Sequence, residues 1–160
     1  MDNIVYLRIR ENESLDFLKS VFNAKKGRDI KISRNDKYGI GKYINSMVQY
    51  SDFPVKKPDN HNNNVNLIIP KHRNSTAKYH FSFLSAERQK QINDFIEAIL
   101  RKNLIGYIIV AKVAQIQKKD AIYNFINTMN LTDDGKIFDK YTKYSYRFFK
   151  EIENNLLKKV

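Results

Sequence analysis

The chain contains no cysteine, which excludes disulfides, thiolate nucleophiles and every cysteine-based zinc module. Negative charge is scarce: 17 Asp and Glu stand against 29 Lys and Arg, a formal net charge of +12 over 160 residues. The most apolar run, "NLIGYIIVAKVA", is about half the length needed to span a bilayer and carries Lys112, so no membrane association is expected. No basic-then-apolar leader follows Met1, and the expectation is a soluble protein of the cytoplasm. Histidine is limited to His61, His72 and His80, unpaired at i,i+2 or i,i+4 spacing and without an acidic cluster beside them. Neither a metal nor a cofactor is expected. No nucleophile elbow or acid–base pair is visible, and Glu11, Glu13 and Asp16 read as favourable charge at a helix start. The chain reads as non-enzymatic.

What is present is enough apolar material for a core, with 42% hydrophobic and 12% aromatic residues, and a length suited to a single domain over 1–160. Positive charge is spread along it: residues 1–80 hold 15 basic and 8 acidic side chains, residues 81–160 hold 14 and 9. The field therefore belongs to the folded body and not to a tail. Such an excess points to a polyanionic partner: nucleic acid, an anionic membrane surface, or an acidic protein.

Hydrophobic periodicity predicts an α+β fold, mainly helical, with a small antiparallel β element in residues 1–84 and a helical part in 85–160. "IVYLRIR" alternates Val5, Leu7 and Ile9 with Tyr6, Arg8 and Arg10, as a half-buried strand does. Ser14 is placed to cap a helix carrying Phe17, Leu18, Val21 and Phe22, with Gly27 as its left-handed terminator. "KYGIGKYINSMVQY" predicts a second helix with Tyr43, Ile44, Met47 and Val48 inward. The Pro/Asn-rich "SDFPVKKPDNHNNN" is a loop. "VNLIIP" and "KYHFSFL" read as two strands of one hairpin. Helical spacing then runs from Ile92, Phe95, Ile96, Ile99 and Leu100 through Leu104, Ile105, Ile108, Ile109 and Val113, with Gly106 as a point of kinking or division. Two more helices follow: "KKDAIYNFINTMNL", and a long basic one from about Lys136 to Leu157.

That last helix carries the strongest functional signal. Lys136, Lys140, Lys143, Arg147 and Lys150 are spaced by 4, 3, 4 and 3, which puts them in one stripe. Ile137, Tyr141, Tyr144, Phe148 and Ile152 form a second, core-facing stripe. Thr132, Asp133 or Asp134 can cap the helix start, and about four residues join it to the preceding helix. This is a helix-turn-helix arrangement in the loose sense, whose second helix can meet phosphates with its cations. Tyr146, and Tyr38 elsewhere, are the aromatics placed on a basic face, where a ring can meet a base or sugar.

Two other stretches invite comparison with known chemistry. "YGIGKYIN" lacks the glycine spacing and the Ser or Thr of a nucleotide-hydrolysing loop. A weaker reading keeps Gly39 and Gly41 at a helix start whose free amides, with Arg34, Lys37 and Lys42, seat a backbone phosphate; the alternative is a tight turn that needs glycine. "PDNHNNNVNLIIPKHR" supplies Asp59 and Lys71 of a nuclease-like arrangement, but Ile69 stands where a second acid is needed to hold magnesium.

The stretches "YGIGKYINSMV", "VNLIIP", "FLSAERQKQINDFIEAIL" and "DAIYNFINTMNLTDDGKIFDKYTKYSYRFFK" resemble small basic proteins, of unassigned activity, from bacteriophages and mobile elements of AT-rich bacteria. The resemblance implies a phage or mobile-element role and transfers no functional residue. The expectation is a nucleic-acid-binding protein, DNA favoured over RNA, acting as a regulator or accessory factor in the bacterial cytoplasm. Two alternatives stand beside it. One is a structural component of a phage particle, with homo-oligomer or acidic protein contacts; the other is an inhibitor of a host nucleic-acid enzyme.

Overall fold

The computed structural model describes residues 3–24, 27–59, 61–70 and 81–158. Their elements run β1 (Asn3–Arg8), α1 (Asn12–Val21), β2 (Asp29–Lys31), α2 (Ile40–Met47), β3 (Gln49–Ser51), β4 (Asn64–Ile69), β5 (Phe81–Phe83), α3 (Ala86–Val113), α4 (Lys118–Thr128) and α5 (Lys136–Leu157). The fold is α+β, with every strand among the described residues lying before α3. The chain divides into two compact units, residues 1–99 and 100–160. The change from mixed to helical structure falls between β5 and α3, as expected at residue 84, whereas the boundary between the compact units falls inside α3, whose apolar stripe runs through it: Ile92 and Ile96 are buried before it, Leu104 and Ile108 after it.

In the first unit β4 is the central strand, antiparallel to β1 and parallel to β2. Register sets the core face. Val5 lies opposite Leu67, Leu7 opposite Val65, and Ile30 alongside Leu67, all fully buried or nearly so. Tyr6 and Arg8 alternate onto the other face. Phe17, Leu18, Ile40, Ile44, Ile92 and Ile96 complete this unit's core. The expected hairpin of β4 with β5 does not form: both edges of β4 are occupied by β1 and β2, and β5 pairs instead with β3. Lys71, His72 and His80 lie outside the described residues.

At its C-terminal end the edge of β1 away from β4 meets side chains of α3. Asn93, 4% exposed, accepts the Arg10 N–H through Oδ1 at 2.8 Å and donates Nδ2 to the Arg8 carbonyl at 2.9 Å. Gln89 Oε1 accepts the Arg8 N–H at 3.0 Å. One amide thus satisfies the two backbone groups that a neighbouring strand would otherwise meet. The Arg10 guanidinium is held by Asp94 at 2.7 Å and Glu97 at 2.6 Å, and these hydrogen bonds, Asp94's the stronger, raise its pKa above the usual arginine value.

Several local expectations are corrected. Ser14 does not cap α1; it is buried inside the helix, whose N-cap is Glu11. Gly27 does not terminate α1. Asn23, at φ 50°, takes the left-handed position, and the Ala24 N–H reaches the Lys19 carbonyl at 2.8 Å. Gln115 and Asn130 end α3 and α4 in the same way, at φ 58° and 53°. Val48 is the extended residue after α2, not part of its stripe. Gly106 does not divide α3, which runs unbroken for 28 residues.

The second unit packs the end of α3 with α4 and α5. Phe125 is its centre, fully buried, with Tyr107 and Tyr141 meeting it edge-on at 5.7 and 5.3 Å. Tyr123 stacks on Phe138 at 4.5 Å. Ile109 and Val113, expected in the core, are 48% and 82% exposed, and Ile152 is 41% exposed. The helix ends outrun the partners that would cover them: α3 turns away after Val113 into a left-handed Gln115, and the turns of α5 beyond Phe149 are wholly exposed.

Candidate nucleic-acid interface

Helix α5 begins at Gly135, a left-handed residue at φ 79° preceded by Asp133 and Asp134. Asp134 Oδ1 accepts the N–H groups of Lys136 and Ile137 at 3.0 and 3.3 Å, and Asp133 Oδ1 accepts that of Gly135 at 2.9 Å. The acids therefore both cap the helix and complement its dipole. Seven residues, 129–135, separate α4 from α5 instead of about four, since the left-handed Asn130 and the Asp turn each take space.

Side-chain periodicity then sorts the helix. Ile137, Tyr141 and Ser145 are buried, while Tyr144 and Phe148 are half-buried beside them. Lys136, Lys140, Lys143, Arg147 and Lys150 are all exposed. At 100° per residue the five cations fall within about 80° of arc, along about 21 Å of helix. Asp139 and Glu151 border the stripe, and both are exposed. Tyr146 stands out of the surface at 62% exposure, with Lys150 Nζ 5.8 Å from its ring centroid. A large ring left in water beside cations has no packing role within its unit.

One cation of this surface was not legible in the sequence. The Arg101 guanidinium lies 5.3 Å from the ring centroid of Tyr144, a residue that neighbours Lys140 and Arg147 on α5. Arg101 thereby joins the edge of the basic stripe from a different helix. The two residues are far apart in sequence, and only packing of α3 against α5 brings them together. Lys119 sits over Tyr123 at 6.0 Å in similar fashion on α4.

The second group of candidates belongs to the first unit and is organised differently. Asp36 takes the amides at the start of α2: its carboxylate accepts the N–H groups of Tyr38 at 3.0 Å, Ile40 at 2.9 Å and Gly41 at 2.7 Å. The expected free amides are thus already satisfied by an internal anion, and the phosphate-seating role of Gly39 and Gly41 falls away with them. Gly39 supplies a left-handed N-cap at φ 72°. Gly41 is needed because a Cβ there collides with the Ser33 carbonyl, 2.8 Å from its carbon. Lys37 and Lys42 are exposed, and Arg34 is half-buried. Tyr38 is half-buried too, with its ring edge-on to Phe17 at 5.1 Å and Lys37 Nζ 5.5 Å from its centroid, so it lies beside a cation, with one side packed in the core.

Among the described residues no three His, Asp or Glu side chains gather where a metal could be held. No helix among them is long and apolar enough to cross a membrane. Comparison with protein-family models, with curated proteins and with solved structures finds no match for this chain.

Proposed function

We propose that the protein binds nucleic acid, duplex DNA in preference to RNA, through the exposed face of α5. The observation that supports this is the single-signed stripe: five exposed cations on one narrow arc of a helix whose opposite side is core. A helix of this kind fits the major groove of B-form DNA, whereas the deep, narrow groove of an A-form RNA duplex does not admit it. In this reading Lys136, Lys140, Lys143, Arg147 and Lys150 contact phosphates, Arg101 adds a flanking charge, and Tyr146 meets a sugar or base. The resemblance to basic phage and mobile-element proteins makes a regulator or accessory factor the role we assign.

Affinity arises mainly from counterion release. Neutralising about five phosphates gives a slope of log affinity against log salt of about −4.5, or a loss of about 500-fold between roughly 50 and 200 mM salt. Fluorescence anisotropy on a labelled random duplex measures this directly. Binding that is insensitive to salt would refute the reading. So would unchanged binding by a folded variant carrying Lys140→Glu, Lys143→Glu and Arg147→Glu together.

A second reading, assembly into a particle, is favoured by one observation. Val110, Val113, Leu156 and Leu157 expose apolar side chains at 67%, 82%, 63% and 75%. Subunit contacts through them would give a stable oligomer on a sizing column at high salt, free of nucleic-acid absorbance. A monomer or dimer that carries nucleic acid with it supports binding instead.

A further inference from the structure

A cleft of about 500 Å³ opens in the first unit. Tyr6 and Arg8, on the face of β1 that alternates with core-facing Val5 and Leu7, form one wall. Lys56, Lys57 and His61, from the segment before β4, form another, and Phe83 with Leu84 close the apolar side. The volume suits a ligand of nucleotide size.

Charge in the cleft is unbalanced. Arg8, Lys56 and Lys57 converge on it with Asp59 as the sole carboxylate of the lining. None of these three cations has a carboxylate partner among the described residues, whereas Arg10, two positions along, is spent on Asp94 and Glu97. The backbone of Arg8 is anchored, its N–H donating to Gln89 and its carbonyl accepting from Asn93, and its side chain is exposed. The strand therefore places Arg8 at the cleft, where its guanidinium donors meet no carboxylate among the described residues. His61 Nδ1 accepts the Asn63 N–H at 3.2 Å, which leaves the proton of a neutral ring on Nε2 as a further donor. Fork-shaped and point-like cations side by side, next to an apolar wall, match a phosphate joined to a flat apolar body.

We propose that this cleft binds a nucleotide, with Arg8, Lys56 and Lys57 on its phosphate and the nucleoside against Phe83 and Leu84. The phosphate comes either from a free nucleotide or from the phosphorylated 5′ end of a single strand. No residue of α5 lines the cleft.

Isothermal titration of the full chain with AMP, adenosine, inorganic phosphate and a decathymidylate with and without 5′-phosphate tests it. One AMP binds per chain, and more tightly than adenosine or inorganic phosphate. Arg8→Gln and the loop variant Lys57→Gln each weaken AMP about tenfold while keeping the wild-type melting curve. Competition with AMP by the 5′-phosphorylated oligonucleotide alone assigns the site to strand ends; absence of competition by either oligonucleotide assigns it to free nucleotides. AMP binding no tighter than inorganic phosphate, or undiminished in a folded Lys57→Gln and Arg8→Gln, overturns the proposal.

Discussion

Two glycines in helices give opposite and quantitative expectations. At Gly41 an added Cβ runs into the Ser33 carbonyl oxygen and lies 2.8 Å from its carbon, where ordinary contact begins at 3.4 Å. Both atoms are backbone, so nothing swings aside. Relief requires the start of α2 to draw back from Ser33, which pulls the Ile40 and Gly41 amides off Asp36 at 2.9 and 2.7 Å. Two hydrogen bonds to a carboxylate are worth about 1.5 kcal/mol each at the low end. Displacing the fully buried Ile40 and Ile44 adds to this loss. Alanine returns about 1 kcal/mol of helix propensity, leaving Gly41→Ala destabilised by about 2–4 kcal/mol. Gly106 is also helical, but its Cβ would meet nothing within 4 Å and its φ is ordinary. Gly106→Ala should therefore stabilise by about 0.5–1 kcal/mol. Urea unfolding followed by far-ultraviolet circular dichroism reads both variants. A Gly41→Ala midpoint equal to wild type, or a lowered one for Gly106→Ala, refutes the close approach of α2 to Ser33 or the openness of α3 at Gly106.

Asn93→Leu should cost about 2–4 kcal/mol in the same assay, because it strands the Arg8 carbonyl and the Arg10 N–H at a covered strand edge; a neutral result would mean water replaces the amide. Replacing the left-handed Gln115 by glycine should raise stability by about 1 kcal/mol, since the C-cap position at φ 58° strains any residue with a Cβ. Asp134→Ala should lower it by about 1 kcal/mol through loss of the α5 cap; an unchanged midpoint would show that Asp133 takes over. Arg10 has its pKa raised by Asp94 and Glu97, so its contribution is complete below the ordinary arginine range and is lost only as pH rises through the raised value. Wild type and Arg10→Met should accordingly differ by a constant amount from about pH 7 to about pH 10, and a difference that shrinks over that window contradicts the assignment.

The two faces of α5 were readable up to Phe148 because their information is local, whereas buried Ser145 and exposed Ile152 depend on what the helix packs against. A period of 3.6 separates Lys140, Lys143 and Arg147 from Ile137 and Tyr141 whatever the helix packs against, and an Asp-Asp-Gly run marks the helix start chemically. The alternation in β1 marks Val5 and Leu7 as core for the same reason. Strand partners carry no such local signature. β4 is apolar enough to pair with anything, and its neighbours β1 and β2 were chosen by the shared core face of Val5, Leu67 and Ile30, not by proximity in the chain. Helix termini were misplaced where asparagine or glutamine adopted the left-handed position that glycine usually fills.

The sequence by itself determined the excess of positive charge, the absence of thiol chemistry and the division of α5 into a wet face and a dry one, since composition and a helical repeat suffice for each. Tertiary structure decided everything that depends on which groups are already satisfied. It placed Asp36 on the amides that a phosphate would need, spent Arg10 on two carboxylates while leaving Arg8 facing a cleft, and brought Arg101 to Tyr144 beside the basic stripe. A charge or donor becomes available to a ligand only when the fold has not already paired it, and pairing is a property of distance in space.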